Sequence, residues 1–209
     1  MQRVVITGMG AVSALGHTAA DTWDALKDGL SGIGPIECLP RETLRFGIAA
    51  EVRRFDPRTH FDEKRLVQLD RVSQFALVAA REAIAQSGID FGHEDLGENT
   101  AVVVGTGVGG ENTNDEASRR MYGENNPRLH PLTIVRLMAN APACHISIEH
   151  GLTGPAFATV SACASSNHAI AQAFHMVRSG VADAAVTGGT EACLTMGAVR
   201  AWEAMRVLA

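Results

Sequence analysis

Apolar positions along the chain follow two alternating rhythms. Short β-branched runs at residues 3–7 (Arg-Val-Val-Ile-Thr), 101–104, 157–161 (Phe-Ala-Thr-Val-Ser) and 184–187 read as buried strands. Between them, apolar residues recur three and four apart, the helical spacing. Residues 71–87 show it best: Val72, Phe75, Ala76, Ala79, Ala80, Ala83 and Ile84 share one stripe, and Gly88 ends it. A helix over 18–27 takes Thr18 as N-cap and Gly29 as stop, and another over 140–150 has Asn140 as cap, Pro142 in its first turn and Gly151 after it. Residues 164–179 form a third, with Ala169, Ile170, Ala173, Phe174 and Val177 on one face and Gly180 behind it. Residues 32–58, with their prolines and short apolar runs, read as a loop carrying a minor hairpin. Strands separated by helices predict an α/β fold with a mainly parallel sheet covered on both faces.

Composition narrows the class. A chain with 46% hydrophobic and 20% charged residues can bury a substantial core. No run approaches the roughly 18 apolar residues of a membrane span, and the first residues lack a signal-peptide core. The net charge of −5, without a basic cluster interleaved with aromatics, argues against nucleic acid as a partner. Arg119, Arg120, Arg128 and Arg136 are candidates for a local basic patch toward an acidic carrier, and solvation is the ordinary role for such arginines. Four scattered cysteines make neither a disulfide framework nor a C-x-x-C metal site, which points to a reducing, cytoplasmic compartment, with no metal and no cofactor.

The candidate chemistry sits in Val160-Ser-Ala-Cys163-Ala-Ser-Ser166, a tight turn between a strand and a helix. The unpaired N–H groups of a helix start carry partial positive charge. They favour a thiolate at Cys163, with its pKa expected below that of free cysteine, and are placed to receive an oxyanion. A lone cysteine in an apolar context is more often a small hydrophobe, and Cys38, Cys144 and Cys193 keep that reading. The run Gly105-Thr-Gly-Val-Gly-Gly110 follows a strand but lacks the Lys-Ser/Thr of a phosphate-binding loop, so close approach of backbone to a substrate explains it better than a nucleotide. His168 lies one turn beyond Cys163 and reads as structural or orienting; the other histidines show no partner spacing.

Together with Arg3-Val-Val-Ile-Thr-Gly-Met-Gly10, Gly151-Leu-Thr-Gly-Pro155 and Gly188-Gly-Thr-Glu191, these motifs stand in the order found in β-ketoacyl-acyl carrier protein synthases, and the whole chain resembles that family. The resemblance implies the N-terminal half (residues 1–209) of a thiolase-like, duplicated αβαβα fold. The C-terminal half, with the two histidines that drive decarboxylation, would be absent from this chain, leaving apolar surface uncovered. It implies that Cys163 accepts an acyl group and condenses it with malonyl-acyl carrier protein in fatty-acid or polyketide synthesis, and that Val108, Ala162, Ala198 and Trp202 line the acyl pocket. Trp202 stands where a smaller aromatic is usual in the family, which implies a shorter or redirected pocket. Acyl carrier protein is the implied partner and a homodimer the implied assembly, with the strand near 157–161 as contact. The competing readings are a thiolase acting on coenzyme A thioesters, a non-catalytic chain-length partner subunit and a carrier-binding module. The early position expected of a thiolase nucleophile excludes the first, and the presence of Cys163 disfavours the second.

Overall fold

The computed structural model of the chain describes residues 3–93 and 95–208. In chain order, α1 (Ala19–Lys27) is capped by the Thr18 hydroxyl, which accepts from the Asp21 N–H. The hairpin of β1 (Gly34–Pro35) and β2 (Ile48–Ala49) follows, then the short α2 (Glu63–Leu66) and α3 (Arg71–Ser87). After α3 come β3 (Thr100–Gly105), α4 (Glu111–Ser118), a π-helical turn at Arg119–Gly123, α5 (Thr133–Leu137) and α6 (Ala141–His150). The chain closes with β4 (Ala156–Thr159), α7 (Ser165–Ser179), β5 (Ala184–Gly189) and α8 (Met196–Met205). Gly88, Gly151 and Gly180 stop their helices in the left-handed conformation that the sequence pattern assigns them.

Strands β4, β3 and β5 form a parallel sheet with β3 in the middle. Every residue of β3 is buried, because its alternating side chains serve two cores. Val102 and Val104 join the core that contains Phe75, Ala76, Leu77 and Val78 of α3 and Ala143 and Ile146 of α6. Ala101 and Val103 pack with Ala169 and Ala173 of α7. Small residues on that second side let α7 lie close to the sheet, with Ile170 and Phe174 at its margin, 46% and 37% exposed.

The N-terminal run departs from its expected form. Residues 3–7 are not a strand; Val5 and Ile6 are 59% and 82% exposed. The described sheet does not include the segment, and residues 8–11, which follow it, lie against α3. There the Met9 N–H donates to Gln86 Oε1 and the Ala11 N–H to Glu82 Oε2, and a Cβ at Gly10 would overlap the Ala79 carbonyl. These two backbone donors are satisfied by side chains of a helix rather than by a ladder.

Helices α2, α4, α5 and α8 carry no counterpart in the predicted elements. The sequence of α4, Glu-Asn-Thr-Asn-Asp-Glu-Ala-Ser, has no apolar stripe, and polar contacts fix it. Asp70 is buried: Oδ1 caps α3 at the Val72 N–H, and Oδ2 accepts from both the N–H and the hydroxyl of Thr113 at 2.7 and 2.6 Å. From α4, Asn112 donates to the Ala192 carbonyl, and Asp115 accepts from the Gly197 N–H at the start of α8.

Candidate functional site

Between β4 and α7 the chain reverses within residues 160–164. The turn needs Ala162 at φ +52°, a left-handed conformation that costs an L-residue about 1 kcal/mol. A set of hydrogen bonds holds it there. The Ser165 hydroxyl, buried, accepts from the Ser161 N–H at 2.8 Å and donates to the Ala162 carbonyl at 2.7 Å. The Thr159 hydroxyl donates to the Ser165 carbonyl at 2.8 Å, and the Thr106 N–H ties Thr159 to the end of β3. Ser161 Oγ and His168 Nδ1 lie 2.6 Å apart, in a hydrogen bond whose donor depends on the imidazole tautomer.

Cys163 stands exposed in this turn, two residues before the first helical residue. No side chain caps α7; the Ala164 and Ser165 N–H groups donate to the Ser161 and Ala162 carbonyls of the turn, and the start of the helix dipole faces it. The helix reaches this position because Gly105 and Gly189 lack side chains: a Cβ on Gly105 would overlap the backbone of Ser165, and one on Gly189 would come within 2.5 Å of Ser166 Cβ.

The other cysteines differ. Cys38, like Cys163, is an exposed residue, but its Sγ lies 3.8 Å from the Leu194 carbonyl, and desolvation of the sulfur, with the Glu51 carboxylate beside it, pushes its pKa up to about 12. Burial likewise pushes Cys193 up to about 11, with Glu191 adding to the effect. Both are held as thiols at neutral pH.

The glycine-rich loop after β3 is anchored beside the turn by Glu191, which follows β5. Its Oε1 accepts from the Thr106 hydroxyl at 3.1 Å and its Oε2 from the Gly107 N–H at 2.6 Å. Thr106 Oγ1 in turn accepts from the Gly109 N–H at 3.0 Å. A Cβ on Gly107 would lie 3.8 Å from the Ala162 carbonyl, so loop and turn meet at the same end of the sheet. Val108, on that loop, is 52% exposed, and Ala162 is exposed as well. Ala198 and Trp202, both half-buried, are four residues apart on α8 and therefore share one of its faces. Among the described residues no hydrogen bond ties that pair to the turn. Instead α8 is held from outside: the Arg45 N–H donates to Glu203 Oε1, and Glu203 also pairs with Arg200. Glu191, Thr106, Ser165 and Thr159 are site residues that periodicity did not single out, although Glu191 closes a Gly-Gly-Thr-Glu motif behind a strand.

Two other histidines lie partly buried away from the turn. His60 stacks on Phe55, and burial, with Arg81 and His17 nearby, pushes its pKa down. Burial and Arg65 do the same to His145. A cavity of about 430 Å³, lined by Asp90, His93, Leu96 and Asp183, opens at the other end of the strands, away from Cys163.

This arrangement has close counterparts among known proteins. The family model for the N-terminal domain of beta-ketoacyl synthases matches residues 1–209. The chain belongs to the beta-ketoacyl synthase family. It is 39% identical over 208 residues to nodulation protein E of Rhizobium meliloti (strain 1021), covering 100% of this chain and 51% of that protein. It is 37% identical over 207 residues to 3-oxoacyl-[acyl-carrier-protein] synthase 2 of Staphylococcus aureus (strain COL), covering 99% of this chain and 50% of the relative. The chain thus spans about half the length of the curated relatives it matches. Among solved structures, the ishigamide ketosynthase/chain length factor superposes with a TM-score of 0.90 at 28% identity, over 100% of this chain and 52% of that one. A beta-ketoacyl synthase from Burkholderia phymatum STM815 gives 0.84 at 27%, over 100% and 51%. The α/β fold is therefore the thiolase-like fold of ketosynthases, and the part represented is its N-terminal half.

Proposed function

We propose that the protein is a condensing acyltransferase in which Cys163 is the acyl-accepting nucleophile. The thiolate attacks the carbonyl of an acyl-carrier thioester, the carrier thiol leaves, and the acyl chain remains on the sulfur. The Cys163 N–H is one donor to the transient oxyanion. Malonyl-acyl carrier protein then loses CO2, its carbanion attacks the acyl-enzyme, and β-ketoacyl-acyl carrier protein departs as the Cys163 thiolate is released. The histidines that drive decarboxylation in this family belong to its second half. Val108, Ala162, Ala198 and Trp202 line the acyl channel, the pathway is fatty-acid or polyketide synthesis, the partner is acyl carrier protein and the compartment is the cytoplasm.

One observation carries this reading: the exposed Cys163 in a strained, fully braced turn at an uncapped helix start, where no packing role accounts for it. A chain-length partner subunit is the second reading, favoured by a structural relative whose name joins ketosynthase and chain length factor. The exposed sulfur supports the enzyme over that partner. A homodimer through the exposed β4 side, where Phe157 and Val160 stand 37% and 58% exposed, accompanies the proposal. The test incubates the chain, together with the second half of the fold that holds the histidines, with hexanoyl- and malonyl-acyl carrier protein and weighs the carrier. Wild type should yield β-ketooctanoyl carrier and Cys163→Ala none; product from Cys163→Ala would contradict the assignment. With graded acyl lengths, Trp202→Phe should shift acylation toward longer chains, and an unchanged preference would remove Trp202 from the channel.

A further inference from the structure

The hydrogen bonds that hold Ala162 in its left-handed conformation fall into two groups. Those of Thr159 and Ser165 close the turn upon itself, ending at the first residue of α7. The Ser161–His168 bond reaches further, from the last residue before Ala162 to the first turn of the helix proper, and so encloses Cys163 between its two ends. It lies at the surface, where water competes for both partners and a single hydrogen bond adds little to folding. Its weight is geometric. If Ala162 relaxes to an ordinary negative φ, the Ala162–Cys163 peptide rotates and the Cys163 N–H and sulfur are re-aimed together.

We infer that Ser161 and His168 are positioning residues, a side-chain brace that keeps the Cys163 turn in its reactive conformation by tying the residue before Ala162 to the first turn of α7. The inference rests on the reading of Cys163 as acyl acceptor. It requires neither residue to touch substrate, and it assigns His168 no proton transfer. The brace acts on the rate of acyl transfer and not on capture of the carrier, because neither side chain belongs to a docking surface in this scheme.

The experiment is single-turnover transfer from hexanoyl-acyl carrier protein to the full protein, followed by intact mass over a range of carrier concentrations. Ser161→Ala and His168→Ala should each slow transfer about tenfold, the size of one lost positioning hydrogen bond, at an unchanged half-saturating concentration. The double variant should be no slower than either single one, since both remove the same bond. Ser161→Thr keeps the hydroxyl and should stay within about twofold of wild type. Thermal midpoints of all four should match wild type, so that rate losses are not losses of fold. A wild-type rate in His168→Ala, or slowdowns that multiply in the double variant, would overturn the brace. A wild-type protein that takes no acyl group at Cys163 would instead strike the reading beneath it.

Discussion

The four thiols of the chain are set apart by what surrounds each sulfur. Cys38 and Cys193 are kept protonated, with pKa values of about 12 and 11, by burial first and by the carboxylates of Glu51 and Glu191 second. Cys163 is exposed at the start of α7 with no carboxylate hydrogen-bonded to it among the described residues, whereas Cys38, exposed as well, has Glu51 beside its sulfur. Brief treatment with iodoacetamide at neutral pH, read by peptide mapping, should therefore modify Cys163 well before Cys38 or Cys193. Equal labelling of all three would contradict the contrast. The glycines beneath α7 work by what they lack. Gly105→Ala would press a methyl into the Ser165 backbone, in a region with no flexible side chain to yield, and should cost about 2 kcal/mol or more, seen as a lowered thermal midpoint. An unshifted midpoint would mean that α7 does not sit this close to the sheet.

Among the elements, the helices closed in the sequence by a stop glycine were legible, and those without one, α8 and the polar α4 among them, were not. Helix α3 shows its whole length in the sequence because a stripe of seven apolar residues and a terminal glycine agree with one another, and the structure adds Asp70 as its cap. The bounds of α7 and β3 are marked in the same way. Helix α4 was silent because its docking is carried by Asp70 and Thr113, a long-range pair that periodicity cannot reveal. The run at 3–7 has strand composition, yet it pairs with no strand of the described sheet, because composition alone does not supply a partner. For the site, the cysteine turn was readable as a motif. Its supports, Glu191 to Thr106 and Ser165 to Ala162, were not, because they depend on which loops the sheet brings together. The weight of Asp70 is directly measurable. Asp70→Ala removes the cap of α3 and the anchor of α4 at once and should cost about 2–3 kcal/mol in denaturant unfolding. A loss near zero would show that α4 is held by something else.

At the scale of the whole molecule, the titrating groups bound the pH range of the fold. Burial pushes the Glu149 carboxyl up, but its bidentate pair with Arg81, at 2.5 and 3.1 Å, together with His150 and Arg65, outweighs burial and leaves it below the usual carboxylate range. Glu51 is lowered in the same sense: burial opposes, and the Cys38 and Glu37 N–H groups and Arg53 prevail. A carboxyl lowered by folding stabilises above its unfolded pKa, and that stability is lost as pH falls, here below about pH 4.3. A thiol raised by folding does the opposite. Cys38 and Cys193 contribute fully below about pH 8.5, and their contribution is lost as pH rises toward their folded values. The thermal midpoint should therefore fall between about pH 8 and about pH 10.5, and fall less in a Cys38→Ala, Cys193→Ala variant; an identical decline in both proteins would contradict the assignment. These groups sustain the frame, and the central proposal is that this frame presents Cys163 as the acyl acceptor. The most direct measurement of that claim is intact mass and peptide mapping after incubation with an acyl-acyl carrier protein alone. The account predicts a single acyl adduct, located on Cys163 and absent from Cys163→Ala. An unmodified protein, or an adduct on Cys38, Cys144 or Cys193 that persists in Cys163→Ala, would contradict it.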